Sequence, residues 1–351
     1  MKDLKYLLAY IAPALATLGL LWGGYWSYGA VLYAFVFLPL TEPLLPKSRK
    51  NFTEEEKQSR LKDKFFDALL YFNLPILYAL VIGYFFWLAQ DSWQLWELIG
   101  NTLSVGLIIS ASGINVGHEL GHRREKFEQN LSKLHLLPAL YMHFFVEHNR
   151  GHHKYVATPL DPASADKGEN LYFFWVKSLV GGYLNAWKLE KDRLEKRGLP
   201  MLSWHNLMVR FQVYQLAYLG IILAAFGPFV ALMAIVVGLN GALLLETVNY
   251  IEHYGLRREK LPSGKYERVM PRHSWNANYE LGRIMLYELT RHSDHHYMAS
   301  KKFQILDHHE EAPEMPFGYP SAMILAHFPP LWFYVMDRKI QQYEQSMVAL
   351  G

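Results

Sequence analysis

The chain reads as an all-α integral membrane protein: about six transmembrane helices carrying a histidine-rich cap on the cytoplasmic side. Three observations predict this class. Hydrophobic residues make up 51% of the 351 and aromatics 15%, with ten tryptophans, and they gather in long runs separated by charged stretches. A mean hydropathy of -0.01 therefore averages two populations. Lys and Arg crowd into connections that would share one side of the bilayer. Nine of the 16 histidines fall into four short windows, two of them where the fourth and sixth apolar runs end and two in the polar regions that follow.

Taken in order, the predicted spans are residues 5–23, 28–45, 65–90, 93–117, 207–226 and 228–250. The first follows MKDLK directly with no small-residue cleavage site, which predicts an uncleaved span rather than a signal peptide. With the N-terminus inside, the turn at Gly24 to Ser27, the Asp91/Ser92 turn and the Gly227/Pro228 connection face outward, and none holds Lys or Arg. The 46–64 loop faces inward with Lys47, Arg49, Lys50, Lys57, Arg60, Lys62 and Lys64, the orientation that the positive-inside rule favours. Residues 118–206 and 251–351 then form a cytoplasmic cap, and 1–351 is one domain. Within the cap, 171–187 and 322–336 are apolar but short, the second with Pro329/Pro330, and read as interfacial or re-entrant pieces. The net charge of +3, without a basic run interleaved with aromatics, excludes nucleic acid as an expected partner.

The histidine windows are HELGH (His118, His122), HNRGHH (His148, His152, His153), NYIEHYGL (His253) and RHSDHH (His292, His295, His296). Imidazole is a common neutral metal ligand, and histidines three or four apart on a helix share a face. Nine ligands exceed what one first-row ion takes, so the count predicts two metal centres with positions left open. HELGH alone also matches zinc proteases, with Glu119 as base, but that reading leaves the other clusters without a task. A pH switch or a metal-ion transporter could also gather histidines. Transport, however, needs polar ligands near mid-bilayer, whereas these lie at span ends.

Glu119, Asp161, Glu252 and Asp294 stand close in sequence to the windows, with His273 a further candidate, and could orient ligand rings by hydrogen bond. The other histidines, His135, His143, His205, His273, His308, His309 and His327, carry no ligand spacing and read as surface or interface. An all-nitrogen set without cysteine suits iron, zinc or copper. Two open centres beside a membrane, with no hydrolytic motif, favour oxygen chemistry and hence iron.

These motifs together resemble the histidine boxes of the integral-membrane alkane monooxygenases, within the membrane fatty-acid desaturase and hydroxylase superfamily. VATPLDPASA, KYERVMPRHSWNAN, EEAPEMPFGYPSAM and PPLWFYVMD extend the likeness to roughly residues 110–338, and LTRHSDHH departs from the usual LQRHSDHH without touching a ligand. The resemblance implies a non-haem di-iron enzyme whose nine clustered histidines hold the irons. It would use O₂ to convert linear alkanes, drawn from the lipid membrane, to primary alcohols. Electrons would come from NAD(P)H through a rubredoxin reductase and rubredoxin, and the protein would sit as a multi-pass protein in a bacterial inner membrane with its site on the cytoplasmic side. Zero cysteines and no GxGxxG fit an external electron source. Related enzymes acting on xylene-type methyl groups or on fatty acyl chains are the alternatives. Arg257/Arg258, Arg268 and Arg272 could meet an acidic redox partner, and Tyr84 to Trp87 could line a substrate channel or form an interfacial belt.

Overall fold

A computed structural model describes residues 2–350. Among these residues the protein is helical, with extended pairing confined to isolated bridges such as Lys47 with Tyr279. Five helices are long and apolar enough to cross a membrane: α1 (Asp3–Trp22), α2 (Gly24–Leu44), α3 (Phe65–Ala89), α4 (Leu95–Gly121) and α5 (Leu207–His253). The protein is thus a multi-pass membrane protein.

α5 runs for 47 residues, about 70 Å if straight, which is more than twice a hydrocarbon core. It is broken at Gly227, whose φ of 85° and ψ of 176° only glycine adopts readily, and Pro228 removes a further helix donor. The sequence-predicted boundary between the last two spans falls on this break.

α4 is the axis of the bundle. Its apolar window is 83% buried, against 22–39% in the other four, whose surfaces the protein itself leaves largely uncovered. Glu97 secures its start by accepting from the N–H groups of Gln94 at 3.0 Å and Gly24 at 2.6 Å, tying the α1–α2 turn to the helix. Small residues let the second half of α5 approach α4 closely. A Cβ on Gly106 would stand 1.9 Å from Asn240 Oδ1, and one on Gly241 would stand 2.6 Å from Ile109 Cγ2. Through Ile109–Ile114 the axis widens into a π-helical turn before it delivers HELGH.

The 46–64 loop folds under the segment that carries RHSDHH. Lys57 pairs with Asp307 at 2.8 Å, Asn51 exchanges hydrogen bonds with the His308 backbone, and fully buried Arg291 donates to the Lys50 and Leu306 carbonyls. That basic loop and the histidine-bearing segment therefore share one side of the bundle.

Two apolar stretches read as short pieces are longer in the structure. Residues 171–187 belong to the 25-residue helix Leu171–Glu195, whose exposed Tyr172, Val176, Val180 and Leu184 form one stripe at four-residue spacing. Residues 322–336 divide between Tyr319–Ala326 and Pro329–Leu350, the prolines opening the second helix rather than breaking one.

Candidate metal centre

The nine histidines converge from distant parts of the chain into two adjoining groups. His118, His122, His148, His153 and His295 form one, and His152, His253, His292 and His296 the other; within each, the candidate ligand atoms lie within 4.8 Å of one another. His118 and His122 follow one another by a turn at the end of α4. His253 closes α5, and His292–Tyr297 is a short helix that sends His295 to the first group and His292 and His296 to the second.

HNRGHH departs from the expected α-helical spacing. His148–His152 is a π turn, whose five-residue repeat brings His148 against His153, Nε2 to Nε2 at 3.0 Å, and swings His152 to the other group. Both HNRGHH and RHSDHH thus serve both groups.

The nitrogens face inward. His295 Nε2 lies 2.8 Å from His118 Nε2 and 3.1 Å from His153 Nε2, while His292 Nε2 lies 3.1 Å from His253 Nε2 and 2.9 Å from His296 Nε2. His122 Nε2 is buried with no partner among the described residues. Neutral imidazole has one ring proton and one lone pair, and rings that turn their Nε2 atoms to a common point can present those lone pairs together to a cation. Burial disfavours protonation at most of these rings. Burial pushes His122, His148, His153, His292 and His296 well below the ordinary histidine range, and pushes His295 to about 3. The set fits metal ions bound by neutral nitrogen, and these histidine groups can hold them.

The residues expected to orient the rings divide. Asp161 does so: its carboxylate accepts from His152 Nδ1 at 2.9 Å, and the pair is buried. Although burial pushes His152 down, the Asp161 charge and hydrogen bond outweigh it and leave this ring above its ordinary value. Glu252 is not behind its ring, because Oε2 lies 3.2 Å from the inward Nε2 of His292 while Oε1 accepts from the Tyr319 hydroxyl at 2.7 Å. It stands at the edge of the second group itself.

Three others hold neighbouring structure instead. Glu119 pairs with Arg123 and the Phe303 N–H, Asp294 with Lys301 and His309, and His273 with Glu267 and the Met270 N–H. Adjacency along a helix turned Glu119 and Asp294 away from the neighbouring ligand ring, whereas His273 lies on a separate turn, Pro271–His273, with no ligand histidine beside it in sequence. The expectation that the remaining histidines lie at the surface also fails for four of them: His135, His143, His273 and His308 are buried, whereas His205 is exposed. The proposed partner-facing arginines are engaged at home, Arg257 with Asp166, Arg272 with Glu267, Arg258 with the Glu267 carbonyl and Arg268 over the Tyr297 ring.

An apolar cavity of about 100 Å³ lies within the bundle beneath these groups. Its wall takes Ala12 from α1, Phe35 and Leu38 from α2, Ala111 and Asn115 from α4, and Val248 from α5. Asn115 precedes His118 by three residues and Val248 precedes His253 by five, so the cavity approaches the histidines along two of the helices that carry them. α3 contributes nothing to the lining. Tyr84 to Trp87 line no part of it: Tyr84 and Phe85 are buried against neighbouring helices, and only Phe86 is well exposed.

The depressed histidines set a pH response. An unfolded chain takes up protons near pH 6.5, the folded metal-free groups only well below it, so stability present above pH 6.5 is lost as pH falls. Chelator-treated protein in detergent should melt at a lower temperature at pH 5 than at pH 7; an unchanged or higher midpoint would contradict this account of the burial.

Known proteins match this arrangement. A profile of the fatty acid desaturase family matches residues 91–323. An alkane 1-monooxygenase of Pseudomonas putida is 36% identical over 346 residues, covering 97% of this chain and 85% of that protein. Alkane 1-monooxygenase 1 of Alcanivorax borkumensis is 36% identical over 343 residues, covering 96% and 85%. The hydroxylase component of the xylene/toluene monooxygenase of Pseudomonas putida is more distant, 27% identical over 358 residues, covering 100% and 92%. The chain belongs to the fatty acid desaturase family, in the branch that holds the alkane 1-monooxygenases.

Proposed function

We propose that this protein is an alkane 1-monooxygenase that hydroxylates the terminal methyl group of linear alkanes. The observation that carries the reading is the pair of inward-facing histidine groups standing over an apolar cavity in a membrane bundle. R–CH₃, O₂, two electrons and two protons give R–CH₂OH and water. In this reading the nine histidines hold two iron ions, which when bound supply the activation of O₂. The electrons come from rubredoxin, kept reduced by an NAD(P)H-dependent reductase. The membrane is a bacterial inner membrane, with the histidines on its cytoplasmic side where the basic 46–64 loop lies.

The chain's own residues supply binding and exclusion. An alkane offers no polar group to recognise, so position is set by how far an apolar chain can enter before a wall stops it. Ala111 lies in that wall on the helix that ends in HELGH. Ala111→Phe is expected to shorten the longest alkane turned over. Each methylene excluded costs about 0.8 kcal/mol, roughly fourfold in kcat/KM. A homologous series of linear alkanes measures this, and an unaltered length profile would remove the cavity from the reading.

The decisive experiment feeds octane, toluene and an acyl thioester to purified protein with rubredoxin and its reductase, and quantifies iron in the same sample. Octan-1-ol as the main product, with iron present, is expected. An alkene from the thioester without alcohol from octane would replace this reading with a desaturase. Metal uptake into sealed vesicles without hydrocarbon oxidation would replace it with a transporter.

A further inference from the structure

A second, smaller cavity adjoins the histidine groups. A cavity of about 10 Å³, room for about one water, is lined by His148 of the first group and His152 of the second together with His143, Glu147 and Glu246. It shares no lining residue with the apolar cavity, whose wall contains neither carboxylate nor histidine. Glu246 is buried and makes no hydrogen bond to any of the nine histidines. Its carboxylate accepts from the Tyr141 hydroxyl at 2.6 Å, from the Ser178 hydroxyl, and from Asn249 at 3.3 Å. His143 Nε2 is buried in the same wall without a partner among the described residues, which leaves a polar atom for a water to satisfy.

We propose that Glu246 is the proton-relay residue of the site, passing protons through a water in this small cavity toward the faces of His148 and His152. The inference rests on the monooxygenase reading, because that reaction consumes two protons each time the O–O bond breaks and one oxygen leaves as water. The apolar cavity admits the hydrocarbon, and a separate small cavity keeps the proton-carrying water apart from it. Tyr141, His143, Glu147, His152, Ser178 and Asn249 are the polar groups that face Glu246. The Tyr141 and Ser178 hydroxyls both donate hydrogen bonds to the carboxylate and hold it toward the cavity, where the water brings and takes the proton.

The test compares Glu246→Gln, Glu246→Asp and Tyr141→Phe with the parent protein. Glu246→Gln should retain metal and the KM for octane. Its kcat should fall on the order of tenfold or more, electrons should be diverted to hydrogen peroxide, and the solvent deuterium isotope effect should rise. Glu246→Asp should recover part of the rate. In metal-free protein, infrared spectra followed through a pH titration should lose one carboxylate-to-carboxyl conversion in Glu246→Gln, a readout independent of turnover. Full rate and coupling in Glu246→Gln, or an unchanged carboxyl titration, overturns the proposal. Should Glu246→Gln fail to fold or to hold metal, Tyr141→Phe decides, since it leaves the carboxylate: an unaltered isotope effect and peroxide yield overturn the relay. Absence of alcohol from the parent protein would instead sink the underlying monooxygenase reading.

Discussion

His295→Ala is expected to lower hydroxylation by 10²-fold or more and to reduce bound iron from about two ions per chain to about one. Loss of a residue that merely orients a metal ligand already costs about 10- to 100-fold, and a ligand contributes more. The position is central, since His295 Nε2 lies between His118 Nε2 at 2.8 Å and His153 Nε2 at 3.1 Å. Removing the ring opens the first group to water and leaves His118, His122, His148 and His153 with a gap in their sphere. His273→Ala is the control: that ring is equally buried but pairs with Glu267 and the Met270 N–H, so iron content should stay unchanged. Full iron and near-parent activity in His295→Ala would show that the convergence of rings is not a ligand set.

Asp161→Asn should weaken metal at the second group by 10- to 100-fold and lower turnover accordingly. The carboxylate holds His152 by Nδ1, which presents Nε2 inward, 3.2 Å from His296 Nε2. Ser164 and the Ala163 N–H fix the carboxylate in turn. An amide lacks the charge, and turned about it offers its own N–H to the ring, so both tautomer and basicity of His152 change. Chelator competition on purified protein measures the loss. Asp294→Asn is the informative comparison, because Asp294 holds Lys301 and His309 rather than a ligand ring. Equal metal loss in the two variants would assign both carboxylates to general folding and remove the specific role of Asp161.

These two carboxylates mark the boundary of what was legible in the sequence. Both stand near histidine windows, and only the folded chain separates them, because a residue two places along a short helix points away from its neighbour. Glu119 fails likewise: one position from His118, it turns to Arg123. The buried His135 and His143 have no signature of spacing, since burial is set by what packs over them from elsewhere. Glu246 lies seven residues before His253 on the same helix, and nothing in its spacing marks it. The hydroxyls that define its site come from Tyr141 and Ser178, far along the chain.

Membrane class, the approximate spans, the break at Gly227 and the nine clustered histidines are properties of short stretches. Apolar length, loop charge and the i to i+4 period carry them, so the order of residues alone determined them. Contacts such as His118 with His295, 177 positions apart, divide the rings five and four and swing His152 away from His148 through a π turn. The two cavities likewise arise between elements remote in the chain. Tertiary packing decided these, because an interaction between distant segments depends on how helices cross and which faces they bury, and no local period records that.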